Sequence, residues 1–424
     1  MGSQNAHYSG GARKRVLDSS WRIGDYQFGA GMNASENALS FETMLTLAER
    51  ESGAYGLADE GLRQRVATMI GWINQRGPYS IDQIAAMRPQ IQRLLVNRLR
   101  LASDRKRYPM IVHEKIEPPI FIVGFARSGT TLLHSLLAED PDVLAPQSWH
   151  SLAPSPPPGA TAVCAGRIAY AQRFVERWID FCPTQSLMHP YVDKGAYQLI
   201  EDEELFTLDF RNAYPTLLYR VPTSEVMVML GADPTGAYRF HREVLQHLQW
   251  NTGKNRWVCK GPSAQHHLDA LFEVYPDALC VWPHRPLADI YASNVALRSV
   301  IYDTISGRPN DWSNQARAHA QSMKAAFDRL MANSLIDDPR IIHMRFRDFA
   351  SDPIAAVRKI YERRGLTVSP EYDRRLHVWL ADPENHADRY GRFPYSYEAF
   401  GREKQWIQEL FADYSKRFGL EDGD

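Results

Sequence analysis

The sequence predicts an α/β protein with a phosphate-loop-like parallel sheet flanked by helices and an N-terminal helical subdomain. Short, fully apolar runs of strand length alternate with helical segments after residue 117. Before that point, apolar residues recur at three- and four-residue spacing over 34–107. A glycine-containing turn also joins the first apolar run to a helix. We therefore expect a leader and helical subdomain in residues 1–117 and an α/β domain in residues 118–424.

Three helices are predicted in the N-terminal part. They are "FETMLTLAERE", "LADEGLRQRVATMIGWINQRG" and "SIDQIAAMRPQIQRLLVNRLRLASDRKR". The first 21 residues contain several Gly and Ser residues and are predicted to be a flexible end. The boundary is placed between Lys115 and Pro118, where a proline pair ends the helical pattern.

Four strands are predicted after the boundary, each followed by a helix. They are "PIFIV", "RWVCK", "DALCVWPH" and "RIIHMRF". The intervening "SAQHHLDALFEVYP" predicts a helix that Ser263 caps. "PQSWHSLAPSPPPGA" predicts a proline-rich loop. Residues of about 165–250 are predicted to form a mostly helical insertion.

Composition excludes several classes of protein. The formal net charge of the 424 residues is −1, which disfavours nucleic acid as a partner. The four cysteines show no CxxC spacing, so the sequence predicts neither a zinc ribbon nor a disulfide framework, and favours a reducing cytoplasm. No apolar run approaches the roughly 18 residues that a membrane span needs. No apolar segment near the start predicts secretion.

Residues 124–131 read G-F-A-R-S-G-T-T, which follows the phosphate-loop spacing except that Thr130 replaces the usual lysine. Glycines let the loop N–H groups converge on an anion, and the following helix adds its positive end. No predicted strand ends in an Asp that could hold Mg²⁺, whereas two end near Lys260 and Arg285. The pattern therefore predicts a phosphate neutralised by side chains, without a metal.

The residues that carry chemistry resemble those of sulfotransferases that use 3′-phosphoadenosine 5′-phosphosulfate (PAPS). The family's 5′-phosphosulfate loop is similar to Arg127, Ser128, Gly129, Thr130 and Thr131. Arg285 and Ser293, in "HRPLADIYASN", match the pair that binds the donor's 3′-phosphate. Lys260, in "RWVCKGP", matches the active-site lysine. The resemblance covers residues 118 to about 400 and is closest to the bacterial branch with an N-terminal helical region.

The resemblance implies transfer of a sulfuryl group from PAPS to a hydroxyl or amine of a small molecule, with 3′-phosphoadenosine 5′-phosphate (PAP) as product. Arg127, Lys260 and the loop N–H groups would stabilise the leaving phosphate. Arg389 and Arg392 lie where the family places a loop that closes over the donor, so they are expected to help hold the 3′-phosphate. A basic surface turn would fit the same letters.

The general base is harder to assign. Animal cytosolic members carry a His two residues after the lysine, where this chain has Pro262. Many bacterial relatives carry a Trp/Tyr-Glu pair in a proline-rich loop, where this chain has Trp149 and His150. His150 is therefore the expected base, since histidine titrates near neutral pH. An exposed loop histidine remains the alternative, and His266 and His267 are rivals.

The stretch "MHPYVDKGAYQLIEDEELFTLDF" resembles the family's acceptor-lining region. His189, Glu203 and Glu204 are expected to contact the acceptor, although a solvated acidic helix face fits the same pattern. Six aromatic residues are candidates for an apolar acceptor pocket or for the core: Tyr191, Phe206, Phe210, Tyr214, Tyr238 and Trp250.

Other functions stay open from the sequence alone. They are a phosphate-loop phosphotransferase acting on a small metabolite, and a non-catalytic nucleotide-binding scaffold with the helical N-terminal region as its partner surface. A homo-oligomer formed through the N-terminal helices is a further hypothesis.

Overall fold

The computed structural model of the chain describes residues 22–23, 26–27, 38–77, 81–160, 164–212, 233–306, 312–391 and 393–421. Two short strands, β1 (Arg22–Ile23) and β2 (Tyr26–Gln27), pair in antiparallel fashion. The predicted flexible leader, residues 1–21, lies outside the described residues, as do Tyr214 and Arg392.

The three N-terminal helices are confirmed as α1 (Phe41–Ser52), α2 (Glu60–Gln75) and α3 (Ile81–Arg107). The side chains of Ser40 and Asp59 cap the first two by accepting hydrogen bonds from backbone N–H groups of the first turn. Their apolar stripes join one hydrophobic cluster with residues of the sheet, among them Phe121. The division of the chain at residue 117 therefore stays a prediction.

Five described strands form a parallel sheet: β3 (Ile120–Val123), β4 (Val143–Leu144), β5 (Arg256–Gly261), β6 (Leu279–His284) and β7 (Ile341–Arg345). Their order is β4-β5-β3-β6-β7. The four predicted strands are confirmed, and β4 is an additional edge strand. Because β3 lies between β5 and β6, the segments that follow these three strands leave the sheet at one edge.

Helices cover both faces of the sheet. The first six described helices after β3 are α4 (Thr130–Ala138), α5 (Ser148–Leu152), α6 (Ala165–Phe181), α7 (Gln185–Met188), α8 (Asp202–Thr207) and α9 (Pro234–Gln249). Next come α10 (Leu268–Val274), α11 (Leu287–Ser306), α12 (Trp312–Met331), α13 (Phe346–Ser351) and α14 (Pro353–Arg363). The last are α15 (Pro370–Ala381), α16 (Lys404–Leu410) and α17 (Ala412–Arg417). The described parts of 165–250 are mostly helical, as predicted.

Two local predictions were wrong. The proline-rich stretch contains helix α5, so it is not wholly a loop. Ser263 does not cap the next helix: a short 3₁₀ turn, Ala264–His267, precedes α10, which begins at Leu268. The Ser263 hydroxyl instead donates a hydrogen bond to Glu203. The partner of the Ser263 side chain is thus a carboxylate far away in the sequence, and not a backbone N–H group at the start of the helix.

Candidate active site

The phosphate loop connects β3 to α4 through two glycines that no other residue could replace without strain. Gly124 and Gly129 have φ values of 113° and 91°. A Cβ atom on Gly129 would lie 2.5 Å from the Phe346 ring, and one on Gly124 would lie 2.7 Å from Trp282. The loop therefore bends closely around its neighbours and delivers its chain to the N-terminus of α4 at Thr130.

Lys260 reaches this loop from β5. Its side chain is only 2% exposed. Its Nζ lies 3.2 Å from Glu201 Oε1 and 3.4 Å from Thr131 Oγ1. A buried ammonium group needs such partners, because water no longer stabilises its charge. The lysine predicted for catalysis thus connects the first turn of α4 to the segment before α8.

Arg127 contacts the residues predicted for the 3′-phosphate. Its Nε donates to Ser293 Oγ at 3.1 Å, and its Nη1 donates to the Met188 carbonyl at 2.6 Å. Arg285 Nη1 donates to the Arg127 carbonyl at 3.4 Å, and the Arg285 guanidinium lies 4.6 Å from the centre of the Phe346 ring. Burial, assisted by the charge of Arg285, lowers the pKa of Arg127. The structure therefore places Arg127, Arg285 and Ser293 together.

His189 lies in the electrostatic environment of Lys260, Glu201 and Arg127. Burial lowers its pKa to about 4, and the charge of Lys260 acts in the same direction. Within the described structure its Nδ1 has no hydrogen-bond partner. His189 is therefore a neutral imidazole at pH 7 with one ring nitrogen unused.

The side chains of Glu203 and Glu204 are both partly buried. Glu203 Oε1 accepts from the Ser263 backbone N–H at 3.1 Å, and Glu204 Oε2 accepts from Ser151 Oγ at 3.1 Å. Burial, with the nearby charge of Glu201, holds the pKa of Glu203 well above its usual range. Burial raises the pKa of Glu204 to about 7. These side chains are not the solvated acidic face that the pattern also allowed.

His150 belongs to helix α5 and not to an exposed loop. Its Nδ1 accepts a hydrogen bond from the Gln147 backbone N–H at 3.1 Å, and its ring packs 4.1 Å from that of Trp149. Burial lowers its pKa to about 3, helped by the charge of Arg167. Its role as general base stays a prediction.

The rival histidines, His266 and His267, lie in the 3₁₀ turn before α10. Burial lowers the pKa of His266 to about 4, and its ring meets that of Phe327 edge-on. Burial also lowers the pKa of His267.

Arg389 is held by residues of the predicted acceptor-lining segment. Its Nη2 lies 2.7 Å from Asp193 Oδ2 and donates to the Pro190 carbonyl at 2.8 Å. Tyr390 donates to the same Asp193 carboxylate. The role of Arg389 towards the donor stays a prediction, since Asp193 already neutralises the guanidinium in this structure.

The predicted acceptor aromatics have different surroundings. Phe206 and Tyr238 pack edge to face against each other in the core, and Trp250 contacts Tyr108. Phe210 is also buried. Tyr191 donates its hydroxyl to the Asn385 carbonyl and is partly exposed. The role of these aromatic residues towards the acceptor stays a prediction.

Two residues of the site were missed at the sequence level. Glu201 adjoins the predicted glutamates, but only the fold shows that it is the one against Lys260. Phe346 ends the predicted strand "RIIHMRF", and only the fold brings its ring between Gly129 and Arg285.

The sulfotransferase family model matches residues 118–370, more than half of the chain. The chain belongs to the sulfotransferase family. It is therefore an enzyme that transfers a sulfuryl group, and the phosphotransferase and scaffold alternatives are set aside. Among the described residues, no helix has the length and apolar character needed to cross a membrane.

The comparisons also identify a relative in sequence and two solved structures with a similar fold. The chain is 25% identical over 313 residues to omega-hydroxy-beta-dihydromenaquinone-9 sulfotransferase Stf3 of Mycobacterium bovis, covering 72% of this chain and 76% of that protein. Sulfotransferase STF9 of Mycobacterium avium has a similar fold, with a TM-score of 0.77 at 24% identity over 91% of this chain and 98% of that one. STF1 of Mycobacterium tuberculosis gives a TM-score of 0.69 at 24% identity, covering 89% and 99%.

Proposed function

We propose that the sulfuryl donor is PAPS and that the acceptor is a hydroxyl of a small molecule. One observation carries the proposal: Arg127 contacts both Ser293 and Arg285 at the edge of the sheet where Lys260 also lies. Cations from the loop, from β5 and from the end of β6 thus converge on one region. A donor with two separate phosphate groups suits this distribution of charge better than a donor with one.

The donor's two ends would contact different residues. The N–H groups of the loop and the hydroxyls of Thr130 and Thr131 would hold the 5′-phosphosulfate. Arg285 and Ser293 would hold the 3′-phosphate. The Phe346 ring, beside both sets, offers a face on which adenine could stack, an interaction worth about 1–3 kcal/mol for bases on aromatic side chains.

In the chemical step the acceptor oxygen would attack sulfur while the bond between sulfur and the bridging phosphate oxygen breaks. The electron pair of that bond leaves with the 5′-phosphate of PAP, where Lys260 and Arg127 would stabilise the added charge. The acceptor's proton must pass to a base within hydrogen-bond reach. The products are the acceptor's sulfate ester and PAP.

We propose Glu201 as that base. Its carboxylate lies 3.2 Å from Lys260 Nζ, and its side chain is 32% exposed, so an acceptor could reach it. His150, by contrast, uses Nδ1 to accept from the backbone of its own helix. His189, neutral and with an unused nitrogen beside Lys260, would orient the acceptor hydroxyl.

The acceptor class is proposed from the relatives. Stf3 is named for a menaquinone that carries an omega-hydroxyl, so we propose a hydroxyl on a largely apolar small molecule. A cytoplasmic location agrees with the four free cysteines, which a reducing compartment would maintain. We also propose that copies of the chain associate through α1–α3.

Calorimetry tests the donor assignment. We expect PAP to bind without added Mg²⁺ and far more tightly than ADP, because Arg285 and Ser293 would contact only the 3′-phosphate. Arg285→Ala should weaken PAP binding and leave ADP binding unchanged. Arg358→Ala is the matched control, since Arg358 pairs with Asp373 on the surface. Equal affinities of the wild type for PAP and ADP would rule out the donor assignment.

A screen with labelled PAPS tests acceptor and base together. Hydroxylated lipids, sterols, phenols and sugars are offered to the wild type and to Glu201→Gln and His150→Ala variants. We expect sulfation of a hydroxylated lipid or sterol, slow turnover by Glu201→Gln at unchanged PAP affinity, and retained turnover by His150→Ala. The opposite ranking of the two variants would assign the base to His150.

A further inference from the structure

A second group of polar side chains lies in the core, on the face of β5 opposite to Lys260. Asp202 begins α8, His241 lies in α9 and Cys259 lies in β5, and all three are buried. One ligand atom from each lies within 4.8 Å of the other two. Successive side chains of a strand point to opposite faces, so Cys259 points away from the face that Lys260 occupies. The group is therefore distinct from the donor side of the site.

Two residues of this group, Asp202 and His241, aim polar atoms at each other. Neither carboxylate oxygen of Asp202 nor Nε2 of His241 makes a well-aligned hydrogen bond in the described structure, although the Cys259 thiol lies within reach of that carboxylate. His241 Nδ1 lies 2.9 Å from the Tyr275 hydroxyl, and its Nε2 lies 3.3 Å from Asp202 Oδ1. With the ring proton on Nδ1, two lone pairs face each other across that 3.3 Å. A cation between them would convert the repulsion into two bonds.

The side chains around Asp202, His241 and Cys259 are largely apolar, so an unpaired charge there is unfavourable. The rings of Phe206, Phe121 and Tyr238 lie 5.5, 5.9 and 6.3 Å from the His241 ring. An ionised carboxylate in such an apolar environment is strongly destabilised unless it is paired. A divalent cation bound by the Asp202 carboxylate and the Cys259 thiolate would have no net charge. Metal binding therefore resolves the buried charge and the unpartnered atoms together.

We propose that Asp202, His241 and Cys259 form a buried zinc site. Thiolate, imidazole and carboxylate are the ligands zinc takes, and thiolate disfavours Mg²⁺ and Ca²⁺. The 3.3 Å between Nε2 and Oδ1 matches two ligands about 2.0–2.1 Å from a tetrahedral zinc ion. The three residues supply three of the four ligands of a tetrahedral zinc ion, and a water molecule would complete the set. The Tyr275 hydroxyl would orient the imidazole.

The site would serve the active site as a structural anchor. Asp202 and Cys259 are the chain neighbours of Glu201 and Lys260, which contact each other. A zinc ion bound to Asp202 and Cys259 would therefore fix the positions of Glu201 and Lys260 relative to each other, from the opposite face of β5. No step of sulfuryl transfer passes through this ion, and the site is independent of the donor proposal.

Metal analysis of the untagged full-length protein tests the site. We expect about one zinc ion per chain in the wild type, and loss of that zinc in Cys259→Ser and Asp202→Asn. Cys280→Ser is the matched control, because Cys280 is an equally buried free thiol on β6, in the same sheet. After removal of zinc, added Co²⁺ should give a thiolate-to-cobalt charge-transfer band in the wild type and in Cys280→Ser, but not in Cys259→Ser.

Zinc X-ray absorption of the wild type keeps the test decisive if the variants fail to fold. We expect one sulfur neighbour at about 2.3 Å with nitrogen and oxygen neighbours. The proposal is overturned if the wild type neither contains zinc nor takes it up after stripping, or if zinc has only oxygen neighbours. Unchanged zinc content in Cys259→Ser would also overturn it. In each of those cases Asp202 and His241 form an ordinary hydrogen-bonded pair.

Discussion

Replacing Lys260 by methionine keeps most of the side-chain volume but removes the charge, and we expect kcat to fall by about 10²–10³-fold. The ammonium group contacts Thr131 in the first turn of α4, so its charge would lie beside the phosphosulfate of the proposed donor. Two unit charges about 4 Å apart interact by about 4 kcal/mol at an effective dielectric constant of about 20. Since about 1.4 kcal/mol corresponds to a tenfold change in rate, this gives an upper limit of about 10³-fold. Arg127 would retain part of the stabilisation, which sets the lower end of the range.

Initial rates with labelled PAPS at saturating donor measure this effect, and calorimetry with PAP separates it from binding. We expect the PAP affinity of Lys260→Met to change much less than kcat, because the lost interaction strengthens as the phosphate gains charge. Lys254→Met is the matched control, since Lys254 is exposed and precedes the same strand. Wild-type kcat in Lys260→Met would refute the catalytic role. A loss of PAP affinity as large as the loss of kcat would show that Lys260 only binds the donor.

Three further changes should alter stability or binding. Gly129→Ala should destabilise the protein more than Gly365→Ala does, and it should weaken PAP binding. The Cβ atom of an alanine at position 129 would collide with Phe346, whereas a Cβ atom at position 365 would face open space. In both variants the alanine must adopt a left-handed backbone conformation, which costs about 1–2 kcal/mol. Asp209→Asn should lower the free energy of unfolding by about 3–5 kcal/mol in urea titrations, since three arginines share this buried carboxylate. Lowering the pH from 7 to 5 should lower the thermal midpoint, because burial holds several histidine pKa values at about 3 or 4: His134, His150, His189, His247 and His266.

The sign of the pH effect follows from proton linkage. A histidine whose folded pKa lies below its unfolded value of about 6.5 binds more protons when unfolded, so stability falls as pH drops below 6.5. Each one contributes about 1.4 kcal/mol per pH unit until the folded pKa is reached. Glu203 and Glu204, with raised pKa values, act in the opposite direction but are fewer. A higher midpoint at pH 5 would contradict this account.

Matched variants decide the other two predictions. If Gly129→Ala and Gly365→Ala have equal stability and equal PAP affinity, the contact with Phe346 does not restrict the loop. For Asp209→Asn the comparison is Asp233→Asn, which removes an exposed carboxylate that also pairs with Arg211. Equal effects of the two would show that burial does not strengthen the Asp209 ion pairs.

Patterns of short range were enough to predict most of the secondary structure. Strands β3, β5, β6 and β7 each contain a run of buried apolar residues, because both faces of a parallel sheet are covered by helices. Strand β4 has only two residues and shows no pattern. Helix α5 was missed because the prolines that flank it predict a loop. The loss of the Ser263 cap depended on Glu203, 60 residues away.

Part of the candidate site could likewise be predicted from the sequence, and part could not. Arg127, Lys260 and Arg285 follow motif spacing, and the parallel sheet then brings the ends of their strands to one edge. Their roles stay predictions until they are measured. The motif could not select Glu201 among three neighbouring glutamates, because its contact with Lys260 depends on how the α8 segment packs on β5.

By itself, the sequence determined the fold class and the family, because both follow from local features of the sequence. These features are the apolar periodicity, the glycine-containing loop and the cationic residues after the strands. Only the tertiary structure decided which carboxylate meets Lys260, how His150 is buried in α5, and which three side chains face one another behind β5. The physical reason is that side chains far apart in the chain acquire their burial, pKa and partners only when the helices pack on the sheet.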